Sequence, residues 1–260
     1  MNQILPIFTN TTRLLLSKLR MMKFPILVVL LCLGYSVYAQ NIQFHYDLRH
    51  TADPELNDVN FPTINFEYYK QVDSLGRYAF MLQFQSTLDG KHNYIGQYFT
   101  QISQSMRFWE PKISLYLTYS GGLGIAAGKY PYYIPNSYGI GTSWTISLKN
   151  TWIVPGLCFR VNAFDKPSYD PQLSLYFGKG FFNFKIFTSG SFTFWTENRN
   201  HGGENTTDLA GKKFAFVGNP QIWVRVKNKF SLGSKVNVYY NLMAENQVRL
   251  YPTIGSKFEF

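Results

Sequence analysis

The residues that most suggest chemistry are two histidines and an aspartate close together in the chain, His45, Asp47 and His50. Imidazole and carboxylate groups at such spacing can bind a metal ion or transfer a proton. His45 and Asp47 share one face of a strand, while His50 lies at its end. No nucleophile motif such as G-x-S-x-G accompanies them. We therefore expect an ordinary row of polar side chains, with no catalytic residue, no metal ion and no cofactor.

A second candidate is the segment D-K-P-S-Y-D-P at residues 165–171, which contains Asp165 and Asp170. Two carboxylates in one rigid turn could bind a cation. Asp and Pro are also favoured in turns for conformational reasons alone. Turn formation explains this segment without a metal site.

Strands must position these residues, and the last stretch, residues 247–260, shows the strand pattern most clearly. An apolar row containing Phe258 and Phe260 alternates with a polar row containing Arg249, Tyr251 and Lys257. A period of two predicts a strand with one apolar and one polar face. Outer-membrane β-barrels typically end on such a strand, although the last strand of a soluble sandwich would fit this stretch equally well.

Composition favours an all-β chain. The 260 residues are 45% apolar and 18% aromatic, with only 15% charged residues and 20 Gly. Aromatic residues favour strands, and glycines favour tight turns. The length suits one large domain.

The first 39 residues are expected to be a secretory signal peptide. A short apolar run, residues 24–39, follows Lys23, and Val37 and Ala39 precede the expected cleavage site. This order is typical of a signal peptide, and the run is too short for a transmembrane helix. Residues 40–260 then form a single domain.

Two details concern the processing of this segment. Because the apolar run lies far from Met1, Met21 or Met22 is an alternative start. Cys32 follows the bulky Leu31, where a lipoprotein signal needs a small residue, so we expect no lipid anchor.

Charge and cysteine content exclude two further classes. Cleavage removes Arg13, Lys18, Arg20 and Lys23, which reduces 25 basic residues to 21 against 15 acidic ones. This mild, dispersed excess lacks the basic clusters of a nucleic-acid-binding protein. Cys158 alone remains, so no internal disulfide can form.

The chain after residue 40 divides into segments of alternating polarity, separated by turn signals. We predict twelve strands, at residues 41–49, 62–72, 77–88, 97–108, 112–121, 136–148, 151–162, 171–178, 181–196, 213–226, 230–244 and 247–260.

The connections alternate in length, which is typical of a transmembrane barrel. Short turns are expected at residues 73–76, 109–111, 149–150, 179–180 and 227–229. Longer loops are expected at residues 50–61, 89–96, 122–135, 163–170 and 197–212, with a short connection near residue 245. We therefore predict a twelve-stranded antiparallel transmembrane β-barrel, up-and-down, with short periplasmic turns and longer external loops.

The polarity of the two faces agrees with a membrane location. Too few charged residues are present to cover a soluble barrel, so the apolar face is expected to contact lipid and the polar face the lumen. Closure pairs every strand edge. Aromatic residues near strand ends are expected in interfacial girdles: Tyr68, Tyr69, Trp109, Trp144, Trp152, Trp195 and Tyr251.

This prediction has consequences for location and partners. Both termini would be periplasmic, and the protein would be a monomer in the bacterial outer membrane, in contact with its lipid. Phe260 would face lipid and be recognised by the barrel assembly machinery. No nucleic acid is expected as a partner.

Alternation also assigns charged and tyrosine side chains to the lumen. The candidates for solute contact are Asp47, Arg49, Glu67, Arg107, Lys112, Tyr116, Lys185, Arg225, Lys235, Tyr239, Arg249, Tyr251 and Lys257, with Glu259 on the same face. A twelve-stranded barrel is wide enough for a narrow water-filled passage. A basic, tyrosine-containing lumen suits a polar solute with an aromatic or anionic part. The alternative is a salt-bridge network without a specific solute.

Five segments resemble an uncharacterised family of outer-membrane proteins from Bacteroides-type bacteria. They are residues 40–50, 97–105, 162–172, 194–200 and 251–260. That family in turn resembles the Tsx-like nucleoside-specific channel-forming barrels. The resemblance implies a monomeric twelve-stranded barrel that passes nucleosides. No nucleoside-binding residue of that family can be matched to a position in this chain.

The expected function is therefore a passive channel for small polar solutes, with nucleosides as the first candidate. An enzyme is not expected. Two alternatives stay open, a structural or interaction barrel without solute flux and a lipid-modifying barrel enzyme. The second requires a Ser–His pair at the barrel wall.

Overall fold

Strands make up most of the molecule. The computed structural model describes residues 40–71, 78–89, 94–107, 109, 112–126, 130–242 and 246–260. Their strands are β1 (Gln40–Asp47), β2 (Phe61–Gln71), β3 (Tyr78–Asp89), β4 (Tyr94–Met106), β5 (Ile113–Ala126), β6 (Tyr130–Trp144), β7 (Ile146–Leu148), β8 (Thr151–Asn162), β9 (Ser168–Phe181), β10 (Ile186–Asn198), β11 (Lys212–Gly218), β12 (Gln221–Lys227), β13 (Phe230–Tyr240) and β14 (Val248–Glu259).

These segments form twelve barrel strands. β6 and β7 are interrupted only at Thr145 and both pair with β8, while β11 and β12 are interrupted at Asn219 and Pro220 and both pair with β10 and β13. Every pairing is antiparallel, and each barrel strand pairs with its neighbours in sequence. The fold is a closed twelve-stranded antiparallel β-barrel, which confirms the predicted fold class.

The first and last strands close the barrel. β1 pairs with β2 on one side and with β14 on the other, from Asn41 with Glu259 to Asp47 with Thr253. The backbone N–H of Phe260 also donates to the carbonyl oxygen of Gln40 at 3.0 Å. Closure leaves no strand edge unpaired between the two ends of the sheet.

The two faces of the wall have opposite polarity, and the polar face is the buried one. Among the described residues, 24 buried side chains are polar or charged and seven are apolar or aromatic. Exposed apolar side chains alternate with them along the strands and include Phe44, Tyr46, Leu157, Phe159, Leu173, Ile222, Leu232, Leu250 and Ile254. An apolar exterior around a polar interior is the arrangement of a transmembrane barrel.

The interruption between β11 and β12 is a local irregularity that depends on a glycine. Pro220 has no N–H for the ladder, and proline in a sheet is confined to edges and bulges. Asn219 instead exchanges backbone and side-chain hydrogen bonds with Ser191. Gly190 takes φ 156° there, and a Cβ on it would lie 2.8 Å from the Asn219 carbonyl oxygen. Only glycine fits without displacement.

Among the described residues, helical structure consists of two short turns. α1 (Arg49–Ala52) follows β1, and a 3-10 helix (Glu204–Thr206) lies between β10 and β11. Within the described chain, no helix has the length and apolarity needed to cross a membrane.

The connections differ in length between the two ends of the barrel. We call the end with Gln40 and Phe260 the terminal end, and the opposite end the loop end. At the terminal end, short turns lie at residues 149–150, 182–185 and 228–229. At the loop end, residues 48–60 and 199–211 form the long connections among those fully described.

Two predicted connections are wrong. The turn expected at residues 179–180 lies at residues 182–185, because Phe182, Asn183 and Phe184 all take positive φ while Gly180 still pairs with Phe187. The loop expected at residues 122–135 is largely strand, since β5 extends through Ala126 and β6 begins at Tyr130. Gly122 and Gly124 lie within β5, and Pro131 and Pro135 lie within β6.

Other expectations concern parts of the chain that are not described. The signal peptide at residues 1–39 lies outside the described residues. The turn at residues 73–76 lies wholly outside them, and those at residues 109–111 and near residue 245 lie partly outside.

Candidate functional site

Two cavities enter the barrel interior from opposite ends. The loop-end cavity has a volume of about 1040 Å³ and is lined by side chains that include Arg49, Glu67, Arg160 and Lys235. The terminal-end cavity has a volume of about 410 Å³ and is lined by residues that include Lys257. Binding pockets for small molecules typically have volumes of a few hundred to a thousand Å³. Both cavities are large enough for a small solute.

The two cavities meet at a layer of hydrogen-bonded side chains that we call the polar divide: Asn41, Glu67, Gln221 and Trp223. Asn41 and Trp223 line the terminal-end cavity, while Glu67 lines the loop-end cavity. Asn41 Nδ2 donates to Glu67 Oε2 at 3.3 Å, and Gln221 Nε2 donates to Glu67 Oε1 at 3.4 Å. Trp223 Nε1 donates to Gln221 Oε1 at 2.7 Å. At this point a single layer of side chains separates the cavities.

A second contact layer, the tyrosine cluster, narrows the other side of the lumen. The hydroxyl oxygens of Tyr116 on β5 and Tyr176 on β9 lie 3.1 Å apart. Gln101 Nε2, on β4, donates to the Tyr176 hydroxyl at 3.0 Å. Cys158 packs into the same cluster, and Met81 from β3 packs against it. Side chains from strands that are not neighbours in the wall, β4 and β5 on one side and β9 on the other, therefore meet in the interior.

The histidines near the amino-terminal strand are bonded to neighbouring side chains and to the backbone. His45 is buried in the wall, with Nδ1 2.8 Å from Thr253 Oγ1 and Nε2 2.9 Å from Gln43 Oε1. His50 Nδ1 lies 2.5 Å from the carbonyl oxygen of Asn57. Within the described part of the chain, no group of three or more His, Cys, Asp or Glu side chains could hold a metal ion.

Arg49 lies at the loop-end cavity and is fixed by charge and by aromatic rings. Its Nη2 lies 2.9 Å from the buried Asp47 Oδ2. The guanidinium carbon is 4.5 Å from the centroid of Phe61 and 4.7 Å from that of Tyr251. Burial disfavours the guanidinium charge, but Asp47, with smaller contributions from Tyr239 and Tyr251, outweighs burial, so the pKa of Arg49 is raised. Tyr239 packs against Tyr251 with ring centroids 6.1 Å apart.

Lys235 is buried and reaches across the lumen. Its Nζ donates to Gln85 Oε1 at 3.4 Å, from β13 to β3. Both side chains line the loop-end cavity. Arg49, Glu67, Lys235 and Tyr239 therefore all line one cavity. Alternation along the strands had predicted that these side chains point into the lumen.

At the terminal end, Lys257 is the buried cation. Its Nζ lies 2.8 Å from Glu259 Oε1 and 5.4 Å from the centroid of Trp223. Arg225 shares Glu259 through a 3.5 Å contact and is more exposed. These three charged side chains line the terminal-end cavity.

The remaining lumen candidates lie away from the two cavities. Lys112 is exposed next to β5, and Arg107 follows β4. Arg249 pairs with Asp53 at 2.5 Å. Lys185 is an exposed residue of the turn at residues 182–185, because that turn lies later in the chain than expected.

Two aromatic residues expected in a girdle lie inside the barrel. Trp195 and Tyr251 are 6% and 2% exposed. Trp152 lines the terminal-end cavity. Alternation places Trp195 and Tyr251 on the same face as Glu197 and Arg249, and this parity contradicts an outward position.

Sequence reasoning missed the polar group around Arg160 on β8. Arg160 Nε donates to Asn162 Oδ1 at 2.7 Å, and Nη1 donates to Gln172 Oε1 at 2.8 Å. Nη2 donates to Ser137 Oγ at 2.7 Å. The guanidinium carbon lies 4.4 Å from the centroid of Trp195. The alternation of Arg160 with Leu157 and Phe159 was the signal that could have identified it.

Beside Arg160, a carboxylate joins several neighbours. Glu197 Oε2 accepts from Trp195 Nε1 at 2.8 Å, and Glu197 Oε1 lies 3.3 Å from Lys213 Nζ. His201 Nε2 is 3.6 Å from Glu197 Oε1, and its ring stacks on Phe164 with centroids 3.8 Å apart. Burial lowers the pKa of His201, although Glu197 opposes this shift.

The family follows from comparison of the whole barrel with known proteins. The family model described as "Domain of unknown function (DUF5020)" matches residues 39–260. The chain belongs to the DUF5020 family. No curated protein matches this DUF5020 chain.

Two solved structures are similar to this DUF5020 barrel to different degrees. The NanC porin is similar to it with a TM-score of 0.52 at 8% identity, over 85% of this chain and 100% of that one. LpxR from Salmonella typhimurium has a TM-score of 0.44 at 8% identity, over 85% of this chain and 100% of that one. The likeness to the porin shows a shared barrel fold. The resemblance to Tsx-like nucleoside channels stays a prediction.

Proposed function

We propose that this DUF5020 barrel is a passive channel for small polar solutes in the bacterial outer membrane, with nucleosides as the first candidate. The observation that carries the proposal is the polar divide: two cavities enter from opposite ends and are separated there by hydrogen-bonded polar side chains. The apolar exterior supports a lipid environment. The fold is also that of a porin.

Passage would occur by displacement of side chains at the divide. Asn41 and Gln221 are neutral amides held to Glu67 by bonds of 3.3 and 3.4 Å, at the long end of the hydrogen-bond range. Water or a solute hydroxyl can replace such bonds at little cost, because both offer equivalent donors. A nucleoside base would stack on the ring of Tyr239, which lines the loop-end cavity.

The location and partners belong to the same proposal. The exposed apolar band would contact outer-membrane lipid, and both termini would face the periplasm. The barrel assembly machinery would recognise the last strand with Phe260, whose ring is exposed and packs edge-on against Phe258. The molecule would act as a monomer.

Planar-bilayer recording of the refolded protein tests the proposal. We expect stepwise ion current, and a concentration-dependent reduction of that current when uridine is added to one side. Silent bilayers containing correctly folded barrels would contradict the channel. Current that is unaffected by uridine would contradict only the nucleoside.

A structural barrel without flux is the second candidate, and the tyrosine cluster favours it. The Tyr116–Tyr176 contact and the Gln101 hydrogen bond cross the lumen and would help to close it. The same recording separates the two, because a structural barrel gives no open-channel current. The contacts of His45 and His50, to a threonine, a glutamine and a backbone carbonyl, give the enzyme alternative no support.

A further inference from the structure

The Arg160 side chain is a partly buried cation whose described hydrogen-bond partners are all neutral. Its three hydrogen bonds go to two amide oxygens and one hydroxyl, on Asn162, Gln172 and Ser137. In the described chain, no carboxylate lies within ion-pair distance, 4.0 Å, of its guanidinium. Buried charges are normally paired, because removal from water without a counter-charge is costly.

The neighbouring carboxylates are already matched by other cations. Glu197 contacts Lys213 at 3.3 Å, and Asp170 contacts Lys212 at 2.5 Å. These two pairs are neutral, so Arg160 is the excess positive charge of this part of the wall. The carboxylate of Glu197 is close enough to stabilise the Arg160 charge through space. It accepts no hydrogen bond from Arg160.

The three neutral partners fix the guanidinium and leave donors free. Arginine carries five N–H groups, of which the hydrogen bonds use one on Nε, one on Nη1 and one on Nη2. One N–H on each of Nη1 and Nη2 remains available. Contact with the Trp195 ring at 4.4 Å fixes the guanidinium further through a cation–π interaction.

The site is accessible from the loop end. Arg160, Asn162, Gln172, Ser137 and Trp195 all line the loop-end cavity. A planar guanidinium with two free donors is suited to the two oxygens of a carboxylate or phosphate group. Its rigid surroundings reduce the entropic cost of binding.

We propose that Arg160, fixed against Trp195, forms an anion subsite that binds the carboxylate or phosphate group of a small solute entering from the loop end. This inference deepens the proposed function, because it rests on the loop-end cavity as the entry for solutes and assigns them an anionic group. It does not require passage through the polar divide.

Binding calorimetry on the full barrel in lipid nanodiscs tests the subsite with two matched pairs of probes. The pairs are uridine 5′-monophosphate with uridine, and glucuronate with glucose. We expect at least one anionic probe to bind about tenfold or more tightly than its neutral partner, since charge-assisted hydrogen bonds are stronger than neutral ones. Preference in the first pair alone identifies a phosphate, and in the second pair alone a carboxylate. Equal affinities within both pairs overturn the inference.

Variants locate the subsite. Arg160→Gln should weaken the preferred anion about tenfold or more and leave its neutral partner unchanged. Arg160→Lys keeps the charge but loses the planar donors, so an intermediate loss is expected, and this variant serves if the glutamine variant does not fold. Lys149→Gln removes an exposed charge in the turn at residues 149–150 and should change nothing. An unchanged anion affinity in a folded Arg160 variant overturns the inference.

Bilayer recordings on the same preparation separate this inference from the proposed channel. Anion-selective binding that is lost in the Arg160 variants, without open-channel current, contradicts the channel and supports the subsite. Current without anion-selective binding contradicts the subsite and leaves the channel.

Discussion

Gln221 on β12 donates from Nε2 to Glu67 Oε1 on β2, 3.4 Å away, and so joins two strands that are separated around the barrel by three others. Such a bond can form only across the lumen. It marks the level at which the interior changes from an open cavity to a contact between opposite walls. In the proposed channel, removal of this bond would therefore change the flux.

Removal of this contact should increase ion flux. In Gln221→Ala, the amide that bridges Glu67 and Trp223 is lost, and the space it filled becomes available to water. We expect a higher single-channel conductance, measured in planar bilayers. Gln247→Ala is the matched control, because Gln247 is exposed at the loop end and should leave the conductance unchanged. Equal conductance of Gln221→Ala and the unaltered barrel would show that passage does not cross the polar divide.

The charged side chains that line the loop-end cavity should set the ion selectivity of the channel. Glu67→Gln removes a carboxylate that lines the loop-end cavity, so the reversal potential in a KCl gradient should shift toward anion preference. Lys235→Gln should shift it in the opposite direction, because Lys235 is a buried cation of the same cavity. Lys149→Gln serves as the surface control. Shifts of the same sign for both variants would contradict this assignment.

Substitution of Gly190 should destabilise the barrel. A Cβ in Gly190→Ala would lie 2.8 Å from the backbone atoms Asn219 O and Pro220 Cα, which cannot move independently of β11 and β12. We expect a loss of about 1–3 kcal/mol in the free energy of unfolding, measured by urea titration in detergent micelles. Gly203→Ala is the control, because nothing lies within 4 Å of its added Cβ. Equal stability of both variants would show that the interruption tolerates a side chain.

A charge on the outer face should be costly near the middle of a strand and tolerated at its end. Leu173, outward on β9, is 46% exposed, and Leu148, beside the turn at residues 149–150, is 64% exposed. In lipid vesicles, Leu173→Arg should lower the free energy of unfolding by about 2–4 kcal/mol and Leu148→Arg by about 1 kcal/mol or less. Similar small losses at both sites would argue against immersion of this surface in lipid.

The 199–211 segment should lose stability in mild acid. The pKa of His201 is lowered below 6.5 by burial, so the folded state binds fewer protons at this site than the unfolded state as pH falls from about 6.5 through the folded pKa. The stability that the neutral His201 ring contributes above this pH range is therefore lost as the pH falls through it. Hydrogen exchange of this segment should therefore accelerate there, and the NMR titration midpoint of His201 should lie below 6.5. His201→Gln should abolish the acceleration, whereas a midpoint above 6.5 would show that Glu197 outweighs burial.

Local alternation was enough to predict the strands and the direction of most side chains. Gln43, His45 and Asp47 are buried and Phe44 and Tyr46 exposed, as a period of two requires. The same reasoning applied to β8 would have identified Arg160. Trp195 was misplaced because an aromatic residue near a strand end resembles a girdle residue, while its parity with Glu197 gave the correct face.

Other features depend on information that local sequence does not contain. Lys179 and Gly180 have the composition of a turn, but pairing with β10 keeps them extended and transfers the reversal to Phe182, Asn183 and Phe184. Aromatic residues at positive φ have no recognisable local signal. Contacts such as Gln221 with Glu67 depend on the diameter of the ring, which only closure determines.

Closure by β1 and β14 also determines the order of assembly. The partner of β1 on one side is the last strand of the chain, so that edge stays unpaired until the whole barrel sequence has been synthesised. Contacts between such distant segments form slowly, and an open edge in the meantime can pair with other chains. Each nascent molecule therefore needs protection from aggregation for the whole interval between the appearance of its first strand and that of its last.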